Sequence, residues 1–122
     1  MSFFEAVAAC FSKYANFNGR ASRAEYWWFL LFVAISSVLL NAMVTAFFGT
    51  TAGIWVISIY YLFLLSPSLA VGARRLHDMG FSGWWQIFHL TGLGSLALII
   101  WFLMPGTPAE NRYGEPVVIE YS

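Results

Sequence analysis

Charged side chains are scarce in this sequence. Six basic and six acidic residues make up 10% of its 122 positions, against about 25% in soluble domains. A small domain has much surface for its volume and needs more polar cover than a large one. That shortage excludes an ordinary soluble enzyme and a disordered tail. A formal net charge of zero and a pI near 6.7 leave no global field to attract nucleic acid. There is a single cysteine, Cys10, so neither an intramolecular disulfide nor a cysteine-based zinc site can form. Basic residues are missing from Met1 to Phe11, where a cleavable signal peptide would carry them ahead of its apolar core. The N-terminus is therefore expected to be retained.

What the chain does have is apolar sequence: 60% hydrophobic and 20% aromatic residues. No charge interrupts the stretch between Glu25 and Arg74, nor that between Asp78 and Glu110. A helix needs about 20 apolar residues to cross a hydrocarbon core of about 30 Å. The first stretch holds two such spans, 26–48 and 54–73, and the second holds one, 84–104. The expected fold is a single all-α integral membrane domain over 1–122, with three transmembrane helices. Ser22-Arg23-Ala24-Glu25 reads as a capping box at the start of the first span. Gly49-Thr50-Thr51-Ala52-Gly53 forms an uncharged connection. Pro67 removes a backbone donor from the second span, and Ser66 and Ser68 stand ready to satisfy the freed carbonyls. Gly80 suits a left-handed helix stop. Within the third span, Gly92-Leu93-Gly94-Ser95 leaves a re-entrant hairpin open as the alternative.

The six tryptophans fall at predicted span ends. Trp27, Trp28, Trp84 and Trp85 lie on the arginine-bearing side, with Trp55 and Trp101 on the other, as two aromatic belts would require. Lys13, Arg20, Arg23, Arg74 and Arg75 share one side. Positive-inside counting then puts the N-terminus in the cytoplasm and the C-terminus outside. Residues 2–15 show helical apolar periodicity, which predicts a short amphipathic helix lying in the interface. Residues 105–122 are rich in turn formers and are expected to be an irregular polar tail, with Val117-Val118-Ile119 free to pair only locally.

Candidate polar sites are few. Arg20, Arg23, Glu25, Arg74, Arg75, His77 and Asp78 gather at helix ends on one side. They are expected to form an ion-pair rim, with Arg74–Asp78 at i,i+4 and Arg75–Asp78 at i,i+3; the planar guanidinium forks of such a rim also suit anionic lipid headgroups. Ser37, Asn41 and Thr45 recur on one helix face and, with Gln86 and His89, are expected to make helix–helix hydrogen bonds. A metal site needs three or four donors, and His77 and His89 are the only histidines. No metal or cofactor is expected. Cys10 is expected to act as a small buried hydrophobe.

Three segments carry a family resemblance. Phe17-Asn18-Gly19-Arg20-Ala21-Ser22-Arg23-Ala24-Glu25-Tyr26-Trp27-Trp28-Phe29 resembles the opening signature of the bacterial domain-of-unknown-function family 805. Arg74-Arg75-Leu76-His77-Asp78-Met79-Gly80-Phe81-Ser82-Gly83-Trp84-Trp85 resembles its central one, with a departure at Phe81. Pro105-Gly106-Thr107 with Asn111-Arg112-Tyr113-Gly114 resembles its closing one. The resemblance covers roughly residues 3–116 and implies a small multi-spanning inner-membrane protein with no assigned activity. It also creates a tension. Three spans put Asn111 and Arg112 across the membrane from Arg74–Asp78, and the two groups can act together only if 84–104 is a hairpin.

Three functions compete. The favoured expectation is a non-enzymatic protein that packs with a second copy or with another membrane protein, with anionic phospholipids at its arginine rim. The alternative is a subunit of an oligomeric small-solute transporter or channel. A lipid-active enzyme using His77 and Asp78 ranks last, because helical neighbours point about 100° apart.

Overall fold

A computed structural model of the chain describes residues 2–107 and 109–114. Glu115, the Val117–Ile119 run and Glu120 lie outside the described residues. The elements among the described residues are helical, α1 (Phe3–Ser12), α2 (Arg23–Phe48), α3 (Thr50–Asp78), a 3₁₀ segment (Gly83–Leu90) and α4 (Gly92–Leu103), with an isolated bridge between Asn111 and Gly114.

Two helices are long and apolar enough to cross a membrane, α2 with 26 residues and α3 with 29. At 1.5 Å per residue they run about 39 and 43 Å, beyond the ~30 Å hydrocarbon core. Only 11% and 22% of their most apolar windows are buried within the molecule. Val38, Leu62 and Phe47 on these helices are 67–78% exposed. Such faces suit lipid and not water.

The two helices form a tight antiparallel pair joined by Gly49 alone, whose φ of 93° favours glycine. The five-residue connection expected there is shorter, because residues 50–53 already belong to α3. Just beyond the turn, Gly53 lets the helices approach. A Cβ there would lie 2.3 Å from Thr45 Oγ1 and 3.2 Å from Asn41 Oδ1. The Ser37/Asn41/Thr45 face therefore does meet α3, but through close packing at Asn41 and Thr45. Ser37 donates to its own helix at Val33 O, 2.6 Å. The interhelical bond is made one residue away, where Tyr60 Oη donates to Ser36 Oγ at 2.6 Å.

Ser22 caps α2 as expected, accepting from Glu25 N at 3.0 Å. The reciprocal half of the box is absent, because the Glu25 carboxylate turns to Arg74 instead. A complete capping box sits at the start of α1, between Ser2 and Glu5. α1 forms within the 2–15 stretch and packs its apolar stripe on the other helices. It buries Ala6 and Cys10 and sets Phe11 against Phe29, Phe32 and Phe63. The chain after it repairs the proline defect in α3. Pro67 cannot donate to Phe63 O, and the Tyr14 hydroxyl takes that carbonyl. Ser66 Oγ returns a bond to Tyr14 O at 2.9 Å. The expected repair by Ser66 and Ser68 is thus done largely from outside the helix. α3 ends in a Schellman motif at Gly80 (φ 83°), with Phe81 N donating to Leu76 O and Gly80 N to His77 O, both at 2.9 Å.

Residues 84–104 do not form one continuous span. They fold as two short limbs around Thr91, about 16 Å of 3₁₀ helix and about 18 Å of α-helix, and neither crosses ~30 Å. Thr91 caps α4 by accepting from Gly94 N at 3.0 Å. Gly94 is confined there, since a Cβ would lie 2.5 Å from both Phe88 O and Thr91 Oγ1. In a straight helix Trp85 and Trp101 would stand about 24 Å apart. Their ring centroids are 5.6 Å apart, and Trp101 also stacks on Phe81 at 4.8 Å. The glycines seen in the sequence mark this hairpin, and the belt position expected for Trp101 is corrected with it.

Candidate functional site

The hairpin returns the tail to the end of α3, where the sequence placed its densest polar cluster. The Asn18-Gly19 turn (Gly19 φ 89°) leads Arg20 into this end, and Ala21 N fixes it by donating to Arg74 O at 2.9 Å. Arg20 Nε donates to Asp78 Oδ1 at 2.8 Å. Its Nη1 donates to Ala109 O at 3.0 Å and Gly114 O at 3.2 Å. Its Nη2 donates to Asp78 O at 3.1 Å and Thr107 O at 2.5 Å. A guanidinium has five N–H donors, and all of Arg20's are used.

Asp78 joins the halves of the cluster. Its second oxygen accepts from Arg75 Nη1 at 2.7 Å, and all three side chains are buried. Arg75 also donates to the carbonyls of Phe102 and Met104, tying down the end of α4. The tail fits closely here. Thr107 N donates to Asp78 O at 2.7 Å, and a Cβ on Gly106 would lie 1.8 Å from Asp78 Oδ2. Asn111 Nδ2 donates to His77 O at 2.9 Å, and the Tyr113 ring stacks on His77 at 3.8 Å. The described part of the tail, 105–107 and 109–114, therefore lies on the same end of the molecule as the arginines, not across from them.

Arg74 behaves differently from its neighbour. The expected Arg74–Asp78 pair is not formed, because Asp78 is already shared by Arg20 and Arg75. Arg74 reaches across to Glu25 at 2.5 Å, with both side chains buried. Its Nε and Nη2 have no hydrogen-bond partner among the described residues. Cys10 Sγ donates to the same Glu25 oxygen at 3.7 Å.

The expected exposed rim is thus mostly an interior network. Arg20, Arg74, Arg75, Glu25 and Asp78 are all at most 7% exposed. Arg23 is half-buried and donates to Leu103 O at 3.3 Å, which pins the other side of the α4 terminus. His77 and Asp78 do not form a dyad. His77 Nδ1 faces Gly19 O at 2.9 Å, while Asp78 is held by arginines. Gln86 does make a tertiary bond, from Nε2 to Leu69 O at 3.0 Å, and Gly72 makes room for its side chain. His89 Nδ1 stays within its own hairpin, 3.4 Å from Ser95 Oγ. Among the described residues no group of three His, Cys, Asp or Glu side chains converges for a metal. Gly106, Thr107, Asn111 and Tyr113 were not singled out as site residues from the sequence, although the closing signature contained all four.

A family model described as "Protein of unknown function (DUF805)" matches residues 14–115. The chain belongs to the DUF805 family. It is 38% identical over 103 residues to the inner membrane protein YhaI of Escherichia coli K12, covering 84% of this chain and 86% of that one. It is 37% identical over 111 residues to the inner membrane protein YhaH of the same strain, covering 88% and 92%. No solved structure matches the chain. The DUF805 match takes in the 17–29, 74–85 and 105–114 segments and leaves α1 ahead of it. Those three segments meet at the Arg20–Asp78–Arg75 cluster. In this DUF805 protein they are therefore parts of one closure of the fold.

Cys10 gives a direct check on the interior character of the cluster. Burial first, and the Glu25 carboxylate second, push its thiol up to about 12. The thiolate is the reactive form. Cys10 should therefore resist alkylation by iodoacetamide at pH 8 in the folded protein and react readily once unfolded in dodecyl sulfate. The sign of the linkage follows. The unfolded thiol ionises from about pH 8.5 and the folded one does not, so this group's stabilisation fades as pH rises from there toward 12. Rapid alkylation of the native protein would contradict the burial.

Proposed function

We propose that this chain is a small, non-enzymatic inner-membrane protein that crosses the bilayer twice and packs with a second copy or a partner membrane protein. α2 and α3 are the spans. The 84–104 hairpin enters from the arginine side and returns to it. Supporting this is one observation above others: Arg20 spends every donor on Asp78 and the tail carbonyls, so the residues most suited to chemistry hold the scaffold together. Arg23, Arg74, Arg75 and Arg112 lie at the same end, and the Gly49 turn at the other end carries no charge. Positive-inside counting favours a cytoplasmic cluster with the tail beside it. Arg112, exposed at the margin of the cluster, is placed to meet anionic headgroups.

Two measurements test this reading. In a Cys10→Ser background, Ala109→Cys should react with an impermeant maleimide only from the cytoplasmic side, and Thr51→Cys only from outside. Labelling of Ala109→Cys from outside would overturn the two-span layout. A photo-crosslinker at Val38 or Leu62 should trap a dimer or a second membrane protein in native membranes. Monomer alone would sink the packing role.

A further inference from the structure

Beside the cluster, a cleft of about 880 Å³ opens between the end of α3 and the 3₁₀ limb. It extends from the Asn18 turn and Tyr113 down to Leu69 and Ile87. Leu69 lies eight residues before His77 on α3, about 12 Å along the axis, so the cleft runs from the charged end into the apolar part of the molecule. Its outer wall is Trp84 and Ile87, 84% and 60% exposed. In a membrane protein those side chains face acyl chains.

The cleft is mostly apolar, with a polar group supplied by His77. His77 is 8% exposed. Its Nδ1 meets a carbonyl, Gly19 O, which can only accept. Nδ1 therefore carries the proton of the neutral ring, and Nε2 is an acceptor. That nitrogen is 3.6 Å from where a Gly83 Cβ would stand, on the cleft wall, and has no hydrogen-bond partner among the described residues. The side chain is held rigidly, clamped by Gly19 O and stacked flat on Tyr113. Arg112 lies over the Tyr113 ring, 5.0 Å from its centroid. It is exposed, and among the described residues it donates to Gly80 O at 3.4 Å.

We infer that this cleft binds one anionic membrane lipid with a hydroxylated headgroup, of the phosphatidylglycerol type. The phosphate meets Arg112 at the rim, a head hydroxyl donates to His77 Nε2, and an acyl chain runs along Leu69, Trp84 and Ile87. An ammonium headgroup fits poorly, because Arg112 and a neighbouring cluster of three arginines and two carboxylates repel it. This inference rests on the membrane reading above and moves the lipid contact from the buried arginines to the cleft.

The test uses the full chain in mild detergent, offered phosphatidylglycerol, phosphatidylmethanol or phosphatidylethanolamine in mixed micelles, with retained lipid read by native mass spectrometry. Phosphatidylmethanol has the same charge and no head hydroxyl. Phosphatidylglycerol should be retained about three- to tenfold better than either, the range expected for one buried hydrogen bond. His77→Asn keeps a donor for Gly19 O and loses the Nε2 acceptor, and should erase the preference over phosphatidylmethanol. Ile87→Trp changes a lipid-facing side chain and should lower retention of both anionic lipids by blocking the cleft; it decides the matter if His77→Asn fails to fold. Equal retention of the two anionic lipids, or a preference that survives both variants, overturns the inference. So does competition by free glycerol 3-phosphate at matched concentration, which would make the ligand a soluble polyol phosphate. A chain that passes the maleimide test and shows no lipid preference overturns only this inference.

Discussion

Asp78→Asn should cost about 3–5 kcal/mol of stability, the usual loss when one partner of a buried ion pair is removed. The carboxylate is fully buried, with one oxygen 2.8 Å from Arg20 Nε and the other 2.7 Å from Arg75 Nη1. Asparagine keeps the shape but has one acceptor, and its amide N–H₂ points at a guanidinium. Two buried arginines then share what one needs. Against a total stability of about 5–15 kcal/mol, this change takes a large share. Denaturant titration in detergent would measure it, and proteolysis within 105–114 should become faster, since Arg20 and Arg75 hold that segment. A loss under about 1 kcal/mol would show that the cluster does not anchor the tail.

Glu25→Leu should be comparably damaging, by about 3–5 kcal/mol, but for a reason that can be undone. Arg74 is 1% exposed, and Glu25 is the acceptor for its Nη1 while Nε and Nη2 have none among the described residues. Removing the carboxylate strands the whole guanidinium in the interior. The double variant Glu25→Leu, Arg74→Met should recover most of the loss and come within about 1 kcal/mol of the parent, because an apolar pair of similar volume often replaces a buried ion pair without cost. The coupling read from the cycle is then about 3 kcal/mol or more. A double variant as unstable as the single would mean that Arg74 has a further role.

The contrast between these two pairs explains what was legible in the sequence. Local features were: the Ser22 cap, the Gly80 stop, the Arg75–Asp78 pair and the two long apolar helices all follow from residues near each other in the chain. The Arg74–Glu25 and Arg20–Asp78 pairs join residues 49 and 58 positions apart, and no helical spacing announces them. The break within 84–104 is hard to see for a related reason. Its length and apolarity satisfy a span, and hydropathy does not register where its ends must go. The information lay in Gly92 and Gly94 and in the small Gly106, which is the residue that lets the returning chain touch Asp78. Burial of the arginines was equally hidden, since a cluster flanking an apolar helix looks the same whether it faces headgroups or closes on a later segment.

That closure has a consequence for the order of biosynthesis. Arg20 leaves the ribosome before the α2–α3 pair exists, and its acceptors Thr107, Ala109 and Gly114 leave after everything else in the cluster. Until Gly114 emerges, Arg20 lacks part of the carbonyl set that satisfies it, and its charge must stay hydrated. The hairpin cannot be fixed in place until the tail arrives to lock it. On the two-span reading proposed above, insertion of the two long helices and closure of the charged end are separate events, and a nascent chain stalled before residue 105 would hold its spans with the Arg20 end still open.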